Sequence, residues 1–190
     1  HIYEHYEGVR RTMRAYRDLM KRYDAVKPIH STELGLNSQG LPRLAVAREL
    51  IKKFTVFFAE GGATASWFTI QYPDPKGKAR GQFGDSHCVF DCRFNLYNPR
   101  LDAVAYYPMV NGISVKRFVE ERQSPGGAQA YLFRDGEGRC LQILWLDGKR
   151  ADVCVPLPAG QDVGLAESDG TCTTQRAADG VNPSIALPPT

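Results

Sequence analysis

The chain has 190 residues with a formal net charge of only +3, so its overall charge singles out neither nucleic acid nor an anionic membrane surface as a partner. The apolar and charged fractions, 43% and 24%, are those of a globular domain. No apolar run approaches the roughly 18 residues of a membrane span, and the opening residues lack the pattern of a secretory signal.

Residues 1–6, His-Ile-Tyr-Glu-His-Tyr, read as the end of a strand running into a loop. From Gly8 the spacing of Val9, Met13, Tyr16, Met20 and Tyr23 predicts an amphipathic helix with those side chains inward. Arg10, Arg11, Arg14, Arg17, Lys21 and Arg22 form its opposite face, read as solvated rather than as a polyanion site. Pro28 suits a strand start, where no ladder donor is needed, and Ile29–Glu33 is the predicted strand. Pro42 then opens a second helix with Leu44, Ala47, Leu50, Ile51, Phe54, Phe57 and Phe58 as its stripe. Gly61-Gly62 ends that helix, and Ala63–Gln71 is a further strand.

Strand, helix, strand, helix, strand over 1–71 predicts a parallel sheet with outer helices. Such sheets place ligands at the carboxyl ends of their strands. His1, Tyr3, Glu33 and Trp67 all fall near such ends. Residues 72–98 form a long irregular stretch, expected to wall the site. In it Asp74, Asp85 and His87 are candidates to touch a polar ligand. Pro99 to about Val110 reads as a third helix with Leu101, Val104 and Tyr107 inward, kinked or broken at Pro108 and stopped by Asn111-Gly112.

Beyond Gly112, short apolar runs at Val115–Glu121, Ala128–Phe133, Cys140–Leu146, Ala151–Pro156 and Val163–Glu167 alternate with Gly-rich turns. They predict antiparallel hairpins of a β-sandwich. The five cysteines contain no C-x-x-C, and Cys88-x-x-x-Cys92 beside His87 and Asp91 reads as buried thiols rather than a metal site. No metal or cofactor is expected.

The order His1-x-Tyr3, Pro28-x-x-x-Thr32-Glu33-x-Gly35, Trp67-Phe68-Thr69 and Phe83-Gly84 resembles the last third of a clan A glycoside hydrolase of the xylosidase/iduronidase-like kind. The resemblance covers most of residues 1–150. It implies an α/β fold: the C-terminal portion of a TIM (β/α)8 barrel, strands 6–8, over residues 1–113, then an antiparallel β-sandwich segment over 114–190. It implies Glu33 as nucleophile, Tyr3 as the residue that orients it, and His1, Trp67 and Tyr72 as substrate-binding residues. Tyr3 is expected to donate to the Glu33 anion, His1 to a sugar hydroxyl, and the Trp67 ring to face the C–H side of a pyranose. His30 is read as structural and pointing away from Glu33.

A retaining glycosidase needs two carboxyl groups about 5–5.5 Å apart. In the family the acid/base is the Glu of an Asn-Glu pair, and this chain contains no Asn-Glu pair. The expected partners are therefore a carbohydrate substrate and an N-terminal remainder of the barrel carrying the acid/base. A non-catalytic carbohydrate-binding or degenerate barrel protein is the alternative.

Overall fold

A computed structural model describes residues 1–72, 75–77, 86–123, 127–148, 151–154, 162–176 and 184–187. The fold is mixed α/β, with a small parallel sheet at the N-terminal end and small antiparallel sheets beyond it.

Helix α1 spans Tyr6–Arg22. Its first turn is capped from outside. Glu49 on the following helix accepts the Tyr6 N–H at 2.6 Å, and His5 Nδ1 lies 3.4 Å from the same carboxylate oxygen. Glu7 in the first turn and Lys21 and Arg22 in the last complement the helix dipole. Val9 and Met13 are buried as expected, but Tyr16 and Tyr23 are exposed, so only the N-terminal half of the predicted stripe packs inward.

Strand β1, Ile29–Gly35, pairs in parallel with β2, Gly62–Phe68, and helix α2, Arg43–Ala59, connects them. Ile2 adds a parallel bridge to Leu34 on β1. The expected parallel strand–helix–strand order is thus present. Pairing is irregular between Ser31 and Leu34, where β1 carries one residue more than β2.

Helix α2 is buried on nearly all sides, because α1, α3, β2 and β5 surround it. Its end is set by Gly61, which takes φ +74, a left-handed conformation that favours glycine. The short strands β3, Phe90–Asp91, and β4, Asn98–Pro99, form a small hairpin.

Helix α3 spans Leu101–Ile113 and runs through both Pro108 and Asn111-Gly112. Its inward face is Asp102, Ala105, Met109 and Ile113. The expected inward residues Val104 and Tyr107 are exposed instead. Burial of Met109 and Ile113 holds the last turn in place beyond the expected stop. Apolar residues lie all round α3, so spacing alone picked the wrong face.

Strands β5 (Arg117–Gln123), β6 (Gln129–Arg134) and β7 (Cys140–Trp145) form an antiparallel sheet in the order β5-β6-β7. The β6–β7 turn is held by Asp135, whose carboxylate accepts the Glu137 and Arg139 N–H groups. Further antiparallel pairs join β8 (Ala151–Cys154) to β11 (Ser184–Leu187), and β9 (Asp162–Ala166) to β10 (Cys172–Arg176). Strands β10 and β11 were not expected. The Asp169-Gly170 turn, with Gly170 at φ +90, is the signal that announces β10.

One hydrophobic cluster joins the parallel and antiparallel parts, from Ile2, Leu34, Phe54 and Trp67 to Tyr131, Ile143 and Trp145. Polar groups stitch the same seam. Tyr6 Oη donates to Asp147 at 2.5 Å, Lys52 Nζ lies 2.5 Å from the other oxygen of that carboxylate, and Arg10 pairs with Glu121 at 2.9 Å. Arg10 is therefore engaged rather than solvated. Cys88 and Cys92 are buried thiols as expected, whereas Cys140 and Cys172 are exposed; none of these four is in a disulfide.

Candidate functional site

The site forms where three chain segments end side by side. Ile2 N–H donates to the Glu33 carbonyl at 2.9 Å, and Gly35 N–H donates to the Ile2 carbonyl at 3.2 Å. This register sets Tyr3 beside Glu33. Gly35 is required for the approach. A Cβ there would lie 2.7 Å from the Phe68 carbonyl and 2.9 Å from the Tyr3 ring.

Across β2, Thr64 and Phe68 share one face, while Ala65 and Trp67 share the other. His30 pairs with Thr64, Leu34 with Trp67 and Gly35 with Phe68. The extra residue between Ser31 and Leu34 turns Glu33 onto the face that His30 and Phe68 occupy, the way a β-bulge re-aims a side chain. His30 therefore shares the Glu33 face instead of pointing away, and its Nδ1 lies 2.7 Å from Thr64 Oγ1.

Glu33 is partly accessible, its side chain 28% exposed. Two groups meet its Oε2 atom: the Tyr3 hydroxyl, which donates a short hydrogen bond, and His1 Nδ1 at 2.8 Å. His1 thus touches the carboxylate itself. Burial, and then the hydrogen bond and negative charge of Glu33, push the Tyr3 phenol up to about 12. Tyr3 therefore keeps its proton, and donates it, throughout the neutral range. Such a donor fixes the orientation of the carboxylate. Both contacts therefore fall on the same carboxylate oxygen, Oε2.

Phe68 and His87 complete the rim. The Tyr3 ring meets Phe68 edge-on at 6.2 Å and His87 at 5.8 Å, and Phe68 meets His87 at 5.8 Å. Backbone bonds seat His87: Thr69 N–H donates to its carbonyl at 3.0 Å, and Val89 N–H donates to the Thr69 carbonyl at 3.1 Å. The long stretch after β2 thus contributes a residue to the site. Asp74, Asp85 and Phe83-Gly84 lie outside the described residues.

Trp67 takes no part in this face. It is 6% exposed and stacks on Phe54 of α2, with ring centroids 5.8 Å apart. It is Phe68, not Trp67, that lies beside the Tyr3 ring, because alternation along β2 sends Trp67 into the helix layer. Tyr72 is 52% exposed beyond the end of β2. The structure thus brings His1, Tyr3 and Glu33 together, adds Phe68 and His87, and separates Trp67 from them. Among the described residues no group of three or more His, Cys, Asp or Glu side chains is gathered to hold a metal ion, and no helix is long and apolar enough to cross a membrane.

No protein-family model matches the sequence, and no curated protein matches it. Among solved structures, the chain is similar in fold to a family 39 glycoside hydrolase from the gut symbiont Bacteroides cellulosilyticus WH2, with a TM-score of 0.66 at 13% identity. The match covers 95% of this chain and 36% of that one, so the chain has the fold of about a third of that glycoside hydrolase.

Proposed function

We propose that this chain carries the nucleophile half of a retaining glycoside hydrolase, with Glu33 as the nucleophile. The observation that carries the proposal is the carboxylate at a parallel strand end, held on one oxygen by Tyr3 and His1. The fold likeness to part of a family 39 glycoside hydrolase supports it. In this reading residues 1–113 supply strands 6–8 of a (β/α)8 barrel, and residues 114–190 supply part of a β-sandwich on its flank. The acid/base carboxylate comes from outside this sequence.

The chemistry is a double displacement. Glu33 Oε1 attacks the anomeric carbon and forms a glycosyl ester, while the leaving oxygen departs with its electron pair and takes a proton from the acid/base. The same group, now a base, removes a proton from water, and the water oxygen displaces Glu33. Tyr3 holds Oε2 throughout, so the attacking oxygen starts oriented. Phe68 and His87 shape the rim that receives the sugar, with Phe68 in the role first expected of Trp67.

The second reading, a non-catalytic carbohydrate-binding protein, rests on the missing Asn-Glu pair. Glu33→Ala in the intact protein separates the two. A nucleophile variant loses turnover of an activated aryl glycoside, and added azide restores it by attacking the anomeric carbon in place of the carboxylate. The product is then a glycosyl azide of inverted configuration. Wild-type protein that binds sugar without turnover supports the second reading.

A further inference from the structure

Lys53 has no place in the proposed chemistry, yet it is a fully buried charged group among the described residues. It lies mid-helix on α2 with 0% of its surface exposed. Lysine is almost never fully buried without a partner, because an ammonium loses several kcal/mol of hydration on burial. Its partners here are two backbone carbonyls. Nζ donates to the Ile2 carbonyl at 3.1 Å and, through a shorter bond, to the Gly35 carbonyl. It also stands 5.9 Å over the Trp67 ring.

These two carbonyls are not arbitrary. Ile2 directly precedes Tyr3, and Gly35 lies two residues after Glu33. The same Ile2 carbonyl accepts the Gly35 N–H. A single ammonium therefore ties together, from the helix side, the two backbones that carry the donor and the carboxylate. Trp67 on β2 closes the third side of this clamp. The sheet stands between Lys53 and the site face, so Lys53 reaches the site only through the backbone.

We propose that Lys53 is a positioning residue for the Tyr3–Glu33 pair, setting the register of the two strand ends so that the Tyr3 hydroxyl reaches Glu33 Oε2. This rests on the proposed role of Glu33. Burial lowers the Lys53 ammonium to about 8, with Glu49 and Glu4 acting in the opposite direction, so it stays charged at neutral pH. A charge kept under that penalty is consistent with a geometric duty that an apolar side chain cannot perform.

The test is Lys53→Met, with Lys53→Gln as a second variant that keeps one shorter donor. Both are made in the intact protein. On an activated aryl glycoside, kcat falls about 100-fold in Lys53→Met, the scale of a misplacement near 1 Å, and KM stays within about threefold. Lys53→Gln falls in between. A crystal structure of Lys53→Met shows Tyr3 Oη and Glu33 Oε2 separated beyond hydrogen-bonding distance. Unchanged kcat, equal losses in kcat and KM, an intact Tyr3–Glu33 bond, or failure of both variants to fold overturns the proposal, since Lys53 then serves the fold alone. If the wild-type protein proves inactive, the glycosidase reading has failed, and the Tyr3–Glu33 separation still decides the role of Lys53.

Discussion

Tyr3→Phe isolates one bond of the candidate site. The substitution removes a single hydroxyl and leaves the ring against Phe68 and His87. A hydrogen bond to a charged acceptor contributes about 1.5–3 kcal/mol. Tyr3 is 36% exposed, so water replaces part of the lost bond and the lower end of that range applies. His1 Nδ1 also remains on the same oxygen, which limits how far the carboxylate can swing. A loss of about 1.5 kcal/mol in the transition state is roughly a tenfold fall in rate. The expected result is therefore about tenfold lower kcat on an aryl glycoside with a good leaving group, with KM nearly unchanged. Folding stability, read from urea melts, changes by less than about 1 kcal/mol, because no packed surface is lost. Unchanged kcat would refute the orienting role. So would a stability loss of several kcal/mol, which would make Tyr3 a core residue.

Three further outcomes follow from the same geometry. Trp67→Ala destabilises the fold by about 3–5 kcal/mol in urea melts, while Phe68→Ala costs clearly less stability and raises KM; the reverse pattern would restore Trp67 as the sugar platform. Gly35→Ala loses activity and about 1–3 kcal/mol of stability, since the new methyl meets the Phe68 carbonyl and the Tyr3 ring; a variant as active as wild type would contradict the close approach. The Lys53 ammonium is lowered from its ordinary 10.5 to about 8, so the unfolded chain binds more protons between these values and stability rises with pH across that window. At about 1.36 kcal/mol per pKa unit the gain is about 3 kcal/mol, seen in urea melts as a difference between wild type and Lys53→Met; a constant difference from pH 8 to 10.5 would contradict the burial of a charged Lys53.

Much of the site's position was legible in the chain, and its orientation was not. Pro28 before an apolar start, with Gly35 after the carboxylate, marked β1 and put Glu33 at its end. The His1-x-Tyr3 spacing placed a donor on the neighbouring segment. The irregularity between Ser31 and Leu34 has no sequence signal of its own, so simple alternation sent His30 to the wrong face. The same difficulty decided between Trp67 and Phe68. Two adjacent aromatics on a strand must face opposite sides, but only the neighbours on α2 determine which one is buried. Lys53 was invisible for the same reason. Nothing in Ile51-Lys52-Lys53-Phe54 shows that α2 is enclosed, or that Lys52 reaches Asp147 and Lys53 reaches two backbone carbonyls.

The measurement that tests the central claim most directly is covalent trapping of the nucleophile. The intact protein is incubated with fluorosugars bearing a good leaving group, digested, and analysed by peptide mass spectrometry. The account predicts one glycosyl ester, on Glu33, forming as activity is lost. An ester on any other carboxylate, from a protein that turns over the parent glycoside, would contradict it.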